Sequence, residues 1–322
     1  MARCATSSQT SFRVDQGHAE LVQFATSPDL ETQLLNSKVI CVGETLWDVL
    51  PSGEFLGGAP LNVAAHLSRL GVDARLVTRI GTDTRGREAL ATIQAIGVST
   101  AYVQVDDVLP TGIAQAVVDA TGSATYRFPM PCAWDGITAD ASAVSAASGA
   151  TVVFGTLAQR SAASAGAIGQ LLDVATWRVF DANLRPPYDD REAALRSLRR
   201  ADFVKVNEYE VAAFARWLGI APTPAALRAN LAENFGIRSL CVTEGARGSR
   251  LWHERSYVEQ PAWPTEVVDT IGAGDSFLAM LIAELLHGQT PPVAMDRAAR
   301  LAAYVASHPG ATPHYDPGQF VR

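Results

Sequence analysis

The sequence predicts an α/β domain: a mainly parallel β-sheet with helices on both faces, and a small accessory sheet beside it. Three observations carry this. Short apolar runs of strand length alternate with helical patterns, which implies a parallel sheet covered on both faces. Two regions, 50–56 and 102–128, break the alternation; in the second, strand-like runs at Val105, 113–118 and 124–128 are separated by Asp106-Asp107 and Thr121-Gly122. A hairpin-rich insert of this kind suggests a small sheet covering a site. Finally, 322 residues at 48% hydrophobic and 18% charged suffice for one large domain with a full core. Neither an internal repeat nor a linker between independent domains is visible.

The elements follow in order. Residues 38–43 form a short apolar strand. Pro60 suits the first position of a helix and Gly71 its C-terminal cap. A strand at 74–80 leads to a helix at 86–96, ended by Gly97. The Gly/Ser/Ala-rich run at 139–150 reads as a loop and helix. It precedes a buried strand at 151–155 and an Ala-rich helix from about Ser161. Strands at 178–181, 203–206 and 239–243 are each followed by a helical pattern. Thr223-Pro224 opens one such helix with an N-cap and a first-turn proline, and Gly236 closes it. The last strongly apolar segment, 277–286, reads as a buried helix stopped by Gly288. Ligands of such sheets bind at the carboxyl ends of the strands, and Asp48, Asp181, Asn207 and Thr243 all fall just after strand runs.

Composition excludes some functions. The net charge is −7 and the pI about 5.4, with no Lys/Arg run, which argues against a nucleic-acid or membrane face. No stretch is apolar enough to span a bilayer. Cys4, Cys41, Cys132 and Cys241 are scattered without Cys-x-x-Cys spacing, so reduced, buried thiols and a cytoplasmic location are expected. The six histidines show no metal spacing; His66 and His287 fall on helices as packed or surface residues. Residues 1–36 are Ser/Thr-rich and weakly periodic, without the apolar core of a secretory signal. They read as an extension (disordered, or introduced by an upstream start codon, or an organelle transit segment) ahead of a single domain at 37–322.

Two motifs carry chemistry. Asp269-Thr270-Ile271-Gly272-Ala273-Gly274-Asp275-Ser276-Phe277 places a glycine-rich step at the start of the buried helix. Gly272, Ala273 and Gly274 form its first turn, where amides lack intrahelical acceptors and no bulky side chain covers them; such an end binds an anion. Asp275 stands beside it. A carboxylate there repels a bound anion, but it is well placed to take a proton from a hydroxyl that attacks a phosphate. The simpler reading is a carboxylate complementing the helix dipole. The second motif is Gly57-Gly58-Ala59-Pro60-Leu61-Asn62-Val63-Ala64, where paired glycines let a ligand approach the backbone. Asn62 is polar in the first turn of an apolar helix, suited to local capping or to hydrogen bonding a polyol.

These two segments resemble the amino- and carboxy-terminal signatures of the ribokinase (PfkB-type) carbohydrate kinases, in the family's order. Gly81-Thr82-Asp83-Thr84-Arg85-Gly86, Asp181-Ala182-Asn183-Leu184-Arg185, Asn207-Glu208-Tyr209-Glu210 and Thr243-Glu244-Gly245-Ala246-Arg247-Gly248, lying between them, are similar to family motifs. Together the matches are specific. Gly43-Glu44-Thr45-Leu46-Trp47-Asp48, followed by the glycine pair, looks most like the fructokinases. The resemblance implies a ribokinase-like three-layer α/β/α domain with a β-sheet lid at about 49–57 and 101–131. It also implies an ATP-dependent sugar kinase.

By resemblance, Asp275 is the catalytic base, with the backbone of Ile271, Gly272, Ala273 and Gly274 holding the transferring phosphoryl group and Arg185 neutralising it. Asp48, Gly57, Gly58 and Asn62 take the sugar, with Arg127 reaching in from the lid. Thr243, Gly245 and Gly248 match the nucleotide-phosphate loop; a plain hairpin turn is the alternative. Asn207 and Glu210 match a motif acting on Mg2+ through water, and they also fit a helix capping box. The Asp269 side chain and Ile271 carbonyl match the place of a monovalent cation such as K+. No Gly-x-x-x-x-Gly-Lys-Ser/Thr run occurs, so this is not a P-loop kinase. One departure is Ala299, where many fructokinases carry an Asn near the adenine; it leaves the choice of nucleotide open. Expected partners are a small sugar and ATP, with a homodimer through the lid edges. A 2-keto-3-deoxygluconate kinase is an alternative, and a non-catalytic sugar sensor is another from a different class.

Overall fold

A computed structural model describes residues 38–50, 53–118, 124–186 and 188–320. Among the described residues, nine strands form a large sheet in the order β13-β12-β11-β10-β9-β8-β1-β4-β5. Its centre is β1 (Val39–Val42), which pairs in parallel with β4 (Ala74–Gly81) on one side and β8 (Thr151–Phe154) on the other. β5 (Val103–Asp106) closes one edge in parallel. In the other direction β9 (Trp177–Asp181), β10 (Phe203–Asn207) and β11 (Ser239–Thr243) continue the parallel run. β12 (Ser249–His253) and β13 (Ser256–Gln260) finish it antiparallel.

The expected alternation holds up to β11, after which the antiparallel strands β12 and β13 stand in place of the expected helix; β1 shows its basis, being buried on both faces. Ile40 and Val42 enter one apolar core, Val39 and Cys41 the other. The first core is covered by α3 (Ala141–Ala147), α4 (Ala162–Val174), α5 (Arg191–Leu198), α6 (Glu208–Leu218) and α7 (Pro224–Phe235). The second is covered by α1 (Ala59–Arg69), α8 (Ala273–Leu286) and α9 (Pro291–Ala306), with α2 (Thr84–Ala95) inserting Ile93. Between β1 and β8 the chain's crossovers change direction, and this switch point is where open α/β sheets hold ligands.

A second sheet has the order β3-β2-β6-β7, built from β2 (Leu46–Leu50), β3 (Gly53–Gly57), β6 (Gly112–Val118) and β7 (Ala124–Arg127). β2 and β6 pair in parallel, while the outer pairs are antiparallel hairpins. The hairpin-rich insert read over 102–128 therefore divides. Residues 103–106 join the large sheet beside β4, and only the later runs belong to the small one. Periodicity cannot separate these cases, since an edge strand of either sheet is half exposed. Thr121 and Gly122 lie outside the described residues.

Candidate active site

Helix α8 begins as its sequence requires. Gly272, its N-cap, is left-handed (φ 76°) and supplies no capping side chain. A Cβ here would meet Ala311 at 2.6 Å, so both conformation and space demand glycine. Asp275, the third helical residue, is buried, and Asn62 Nδ2 donates to its Oδ2 at 2.8 Å. The Asn62 amide, open to two readings from sequence, thus orients the carboxylate. Burial, and then the charge of Asp181, raise the Asp275 pKa; Lys205, Asn62 and Arg185 oppose the rise. A carboxylate made more basic in this way is a better proton acceptor near neutral pH.

The sequence reading did not identify Lys205 as part of this cluster. Its ammonium donates to both oxygens of Asp181, at 2.9 and 3.0 Å, and both side chains are buried. Burial works against its charge, but Asp181, Asp275 and Glu210 outweigh it and raise the pKa. A Cβ on Gly274 would lie 3.3 Å from Lys205 Nζ, so the ammonium sits directly beneath the first turn of α8. The signal was available: a lysine within Phe203-Val204-Lys205-Val206, a fully buried parallel strand, needs a buried anionic partner.

The small sheet brings Asp48 over the glycine pair, since a Cβ on Gly57 would lie 2.6 Å from Asp48 Oδ2. Gly58 (φ 117°) caps α1 so tightly that a Cβ would fall 2.4 Å from the Glu44 carbonyl oxygen. Burial pushes Asp48 up to about 6 and the neighbouring Glu44 to about 7; Arg185 draws both back, while Asp275 pushes both up. Asp48, Arg185 and Asp275 therefore share one electrostatic neighbourhood. Arg185 is exposed and donates to the Leu184 carbonyl at 3.3 Å. Arg127 lies exposed on β7, opposite Gln115, at the outer strand of the small sheet.

Asn207 and Glu210 form the capping box of α6. Asn207 Oδ1 accepts from the Tyr209 and Glu210 amides at 2.9 Å, and Glu210 accepts from Asn207 N at 2.7 Å and Leu184 N at 2.8 Å. Both Glu210 oxygens are thus engaged by backbone amides, Oε1 by Leu184 and Oε2 by Asn207. Among the described residues, no group of three or more His, Cys, Asp or Glu is arranged to hold a metal ion. Thr243 ends β11, and Gly245 and Gly248 flank a single 3-10 turn into β12, so this segment is a hairpin connection. Asp269 accepts from Ile271 N (3.0 Å) and Gly310 N (3.2 Å), joining the two loops beside the start of α8. Ala299 is buried in α9. No helix among the described residues is long and apolar enough to cross a membrane.

The raised carboxylates set a pH dependence of stability. Burial lifts Glu44 to about 7 and Asp48 and Glu210 to about 6. Between their unfolded values near 4 and these folded values, the native state binds more protons than the unfolded chain. Their stabilising contribution is full below the unfolded values and is lost as pH rises through the folded ones. Buried His66, held down to about 4, and His253 oppose them below about pH 6.5, but the three carboxylates outweigh them, and the melting temperature of the ligand-free protein is expected to fall modestly between about pH 5 and pH 7.5. Glu44→Gln should flatten the decline; a melting temperature that climbs across this window would contradict the assignment.

A buried carboxylate held by an amide at an open helix N-terminus, with a glycine pair and a second carboxylate nearby, is an arrangement able to serve phosphoryl transfer to a small alcohol. Residues 30–316 match the pfkB family carbohydrate kinases, and the chain belongs to that family. It is a sugar kinase. A fructokinase of Klebsiella pneumoniae is 30% identical over 270 residues, covering 79% of this chain and 86% of the relative. A 2-dehydro-3-deoxygalactonokinase of Haloferax volcanii is 28% identical over 302 residues, covering 84% and 91%. The crystal structure of a fructokinase with bound ATP from Xylella fastidiosa shares the fold, with a TM-score of 0.76 at 22% identity over 86% of this chain and 94% of that one.

Proposed function

We propose that the protein is an ATP-dependent fructokinase in which Asp275 is the general base. The observation that carries the mechanism is the Asn62–Asp275 hydrogen bond, because it links the sugar-floor helix to the base at the anion-binding turn. A sugar hydroxyl lying between Asp48 and Asp275 gives its proton to Asp275 as its oxygen attacks the γ-phosphate of ATP. The open backbone turn from Ile271 to Gly274 meets the transferring charge, Lys205 supports it from beneath, and Arg185 faces it from the solvent side. Gly57, Gly58 and Asn62 complete the sugar floor, and Thr243, Gly245 and Gly248 lie on the nucleotide side. Bound Mg2+ would neutralise nucleotide phosphate charge near Asn207 and Glu210. Asp269 and Ile271 would support a K+ ion. The kinase unit is 37–322, with 1–36 an extension ahead of it. The free, buried thiols Cys41, Cys132 and Cys241 support a cytoplasmic setting, and the open edges of β3 and β7 support a lid-mediated homodimer.

Fructose is favoured by the 43–48 run, by the glycine pair and by the fructokinase relatives. A 2-keto-3-deoxy sugar acid is the second reading. The Haloferax relative supports it, and exposed Arg127 and Arg185 offer cations for a carboxylate. A sugar sensor without catalysis has no use for the base. A coupled ADP-release assay over fructose, glucose, mannose, ribose and 2-keto-3-deoxygluconate separates the readings. Fructose is expected to give the highest kcat/KM; a higher value for the acid would move the assignment to the second reading.

Asp48→Ala tests the sugar floor. Losing a buried hydrogen-bond partner costs roughly 1–3 kcal/mol, so the sugar KM should rise about tenfold or more while the ATP KM changes little. Equal effects on both substrates would make Asp48 structural.

A further inference from the structure

Helix α1 presents three polar residues on one face, Asn62, His66 and Arg69, at i, i+4 and i+7. Asn62 holds the base. His66 and Arg69 reach the segment at 310–315, which follows α9. His66 is fully buried, with Nε2 3.0 Å from the Ala311 carbonyl oxygen and Nδ1 2.8 Å from the Tyr315 hydroxyl. A carbonyl can only accept, so Nε2 carries a proton. Burial holds the ring's pKa down to about 4, so the imidazole is neutral, and Nδ1, left without a proton, accepts from the Tyr315 hydroxyl. It lies parallel to the Tyr315 ring at 5.7 Å. Arg69 donates to the Pro313 carbonyl at 2.6 Å and lies over the same tyrosine.

The Ala311 oxygen held by His66 is also one of the atoms packed against Gly272, 2.6 Å from where a Cβ would stand. Its neighbour Gly310 is tied to Asp269. One face of one helix thus fixes the base through Asn62 and the backing of the anion-binding turn through His66.

We propose that His66 is a positioning residue for phosphoryl transfer: by donating to the Ala311 carbonyl it clamps the 310–315 segment behind Gly272 and sets the anion-binding turn in register with Asp275. This rests on the sugar-kinase mechanism above, with the turn from Ile271 to Gly274 meeting the phosphoryl group. A clamp of this kind acts on the transition state, so its loss should lower kcat and leave the sugar KM nearly unchanged.

The test is a pair of neutral polar variants. The Gln amide reaches the place of Nε2 and can still donate to Ala311. The shorter Asn amide reaches only the place of Nδ1, toward Tyr315. His66→Asn is expected to lower kcat on the best sugar about ten- to hundredfold, as misplacement by a fraction of an ångström to an ångström does. The sugar KM should stay within about twofold, and His66→Gln should recover most of the rate. Amide exchange, measured by mass spectrometry on the substrate-free protein, should quicken over 270–275 and 310–315 in the Asn variant and not in the Gln variant. Normal kcat in His66→Asn, equal losses in both variants, or a loss expressed only as sugar KM would overturn the proposal. A wild-type protein that phosphorylates none of the sugars would sink the kinase mechanism instead, and the exchange comparison would still decide whether His66 clamps the turn.

Discussion

Asp275→Asn is expected to lower kcat by about 10²–10⁴, the usual contribution of a general base. The substitution keeps the size and the helix position, and asparagine is tolerated in a first helical turn, so the fold should persist. Asn62 can still meet the new amide oxygen, which preserves the link between α1 and α8. What disappears is the basic lone pair and a carboxylate buried beside the turn proposed to meet the phosphoryl group. ATP affinity should therefore hold or improve slightly, separating loss of chemistry from loss of binding. Steady-state kinetics with calorimetric ATP titration measures both quantities. A folded variant that binds both substrates and turns over near the wild-type rate would remove Asp275 from the mechanism.

Lys205→Met should cost roughly 3–5 kcal/mol of stability, because it leaves Asp181 buried without its partner. Asp181 is 4% exposed, and the substitution removes the ammonium that donates to both its oxygens. The melting midpoint should drop on the order of 10 °C. The double variant Lys205→Met/Asp181→Leu should recover much of that loss, since removing both charges also removes the desolvation cost. Activity should not recover with it, because the positive charge beneath Gly274 remains absent. Thermal melts of the single and double variants decide the matter; equal melting temperatures in the wild type and the single variant would show that the pair carries little of the fold.

Much of the architecture was legible because its signals are local. The strands at 151–155, 203–206 and 239–243 announced themselves as apolar runs, and Thr223-Pro224 and Gly236 bounded α7 as read. The two signatures located the ends of α1 and α8, the helices that meet at the site. The contacts that assemble it are long-range and leave weaker traces. Asn62 showed its polarity but not that its partner would be Asp275. Lys205 falls inside the strand read at 203–206, but its partner Asp181 lies 24 positions away on the neighbouring strand, a pairing the sequence does not display. His66 read only as a packed histidine, and its ties to Ala311 and Tyr315 join segments far apart in the chain. The edge strand 103–106 was grouped with the small sheet because exposure on one side is common to the margins of both sheets.

The position of β1 at the middle of the large sheet has a consequence for biosynthesis. This strand leaves the ribosome well before its neighbour β8, and Val39 has no partner on that side until Thr151 has been made. Parallel pairing across such a separation closes a large loop before any contact rewards it, so folding should be slow and governed by topology. The Asn62–Asp275 bond spans 213 positions, which postpones assembly of the proposed catalytic centre until α8 has been made. A nascent chain stalled before α8 would expose the apolar face of α1 that α8 covers. Such a chain is a natural client for chaperones and a poor candidate for an autonomously folding half.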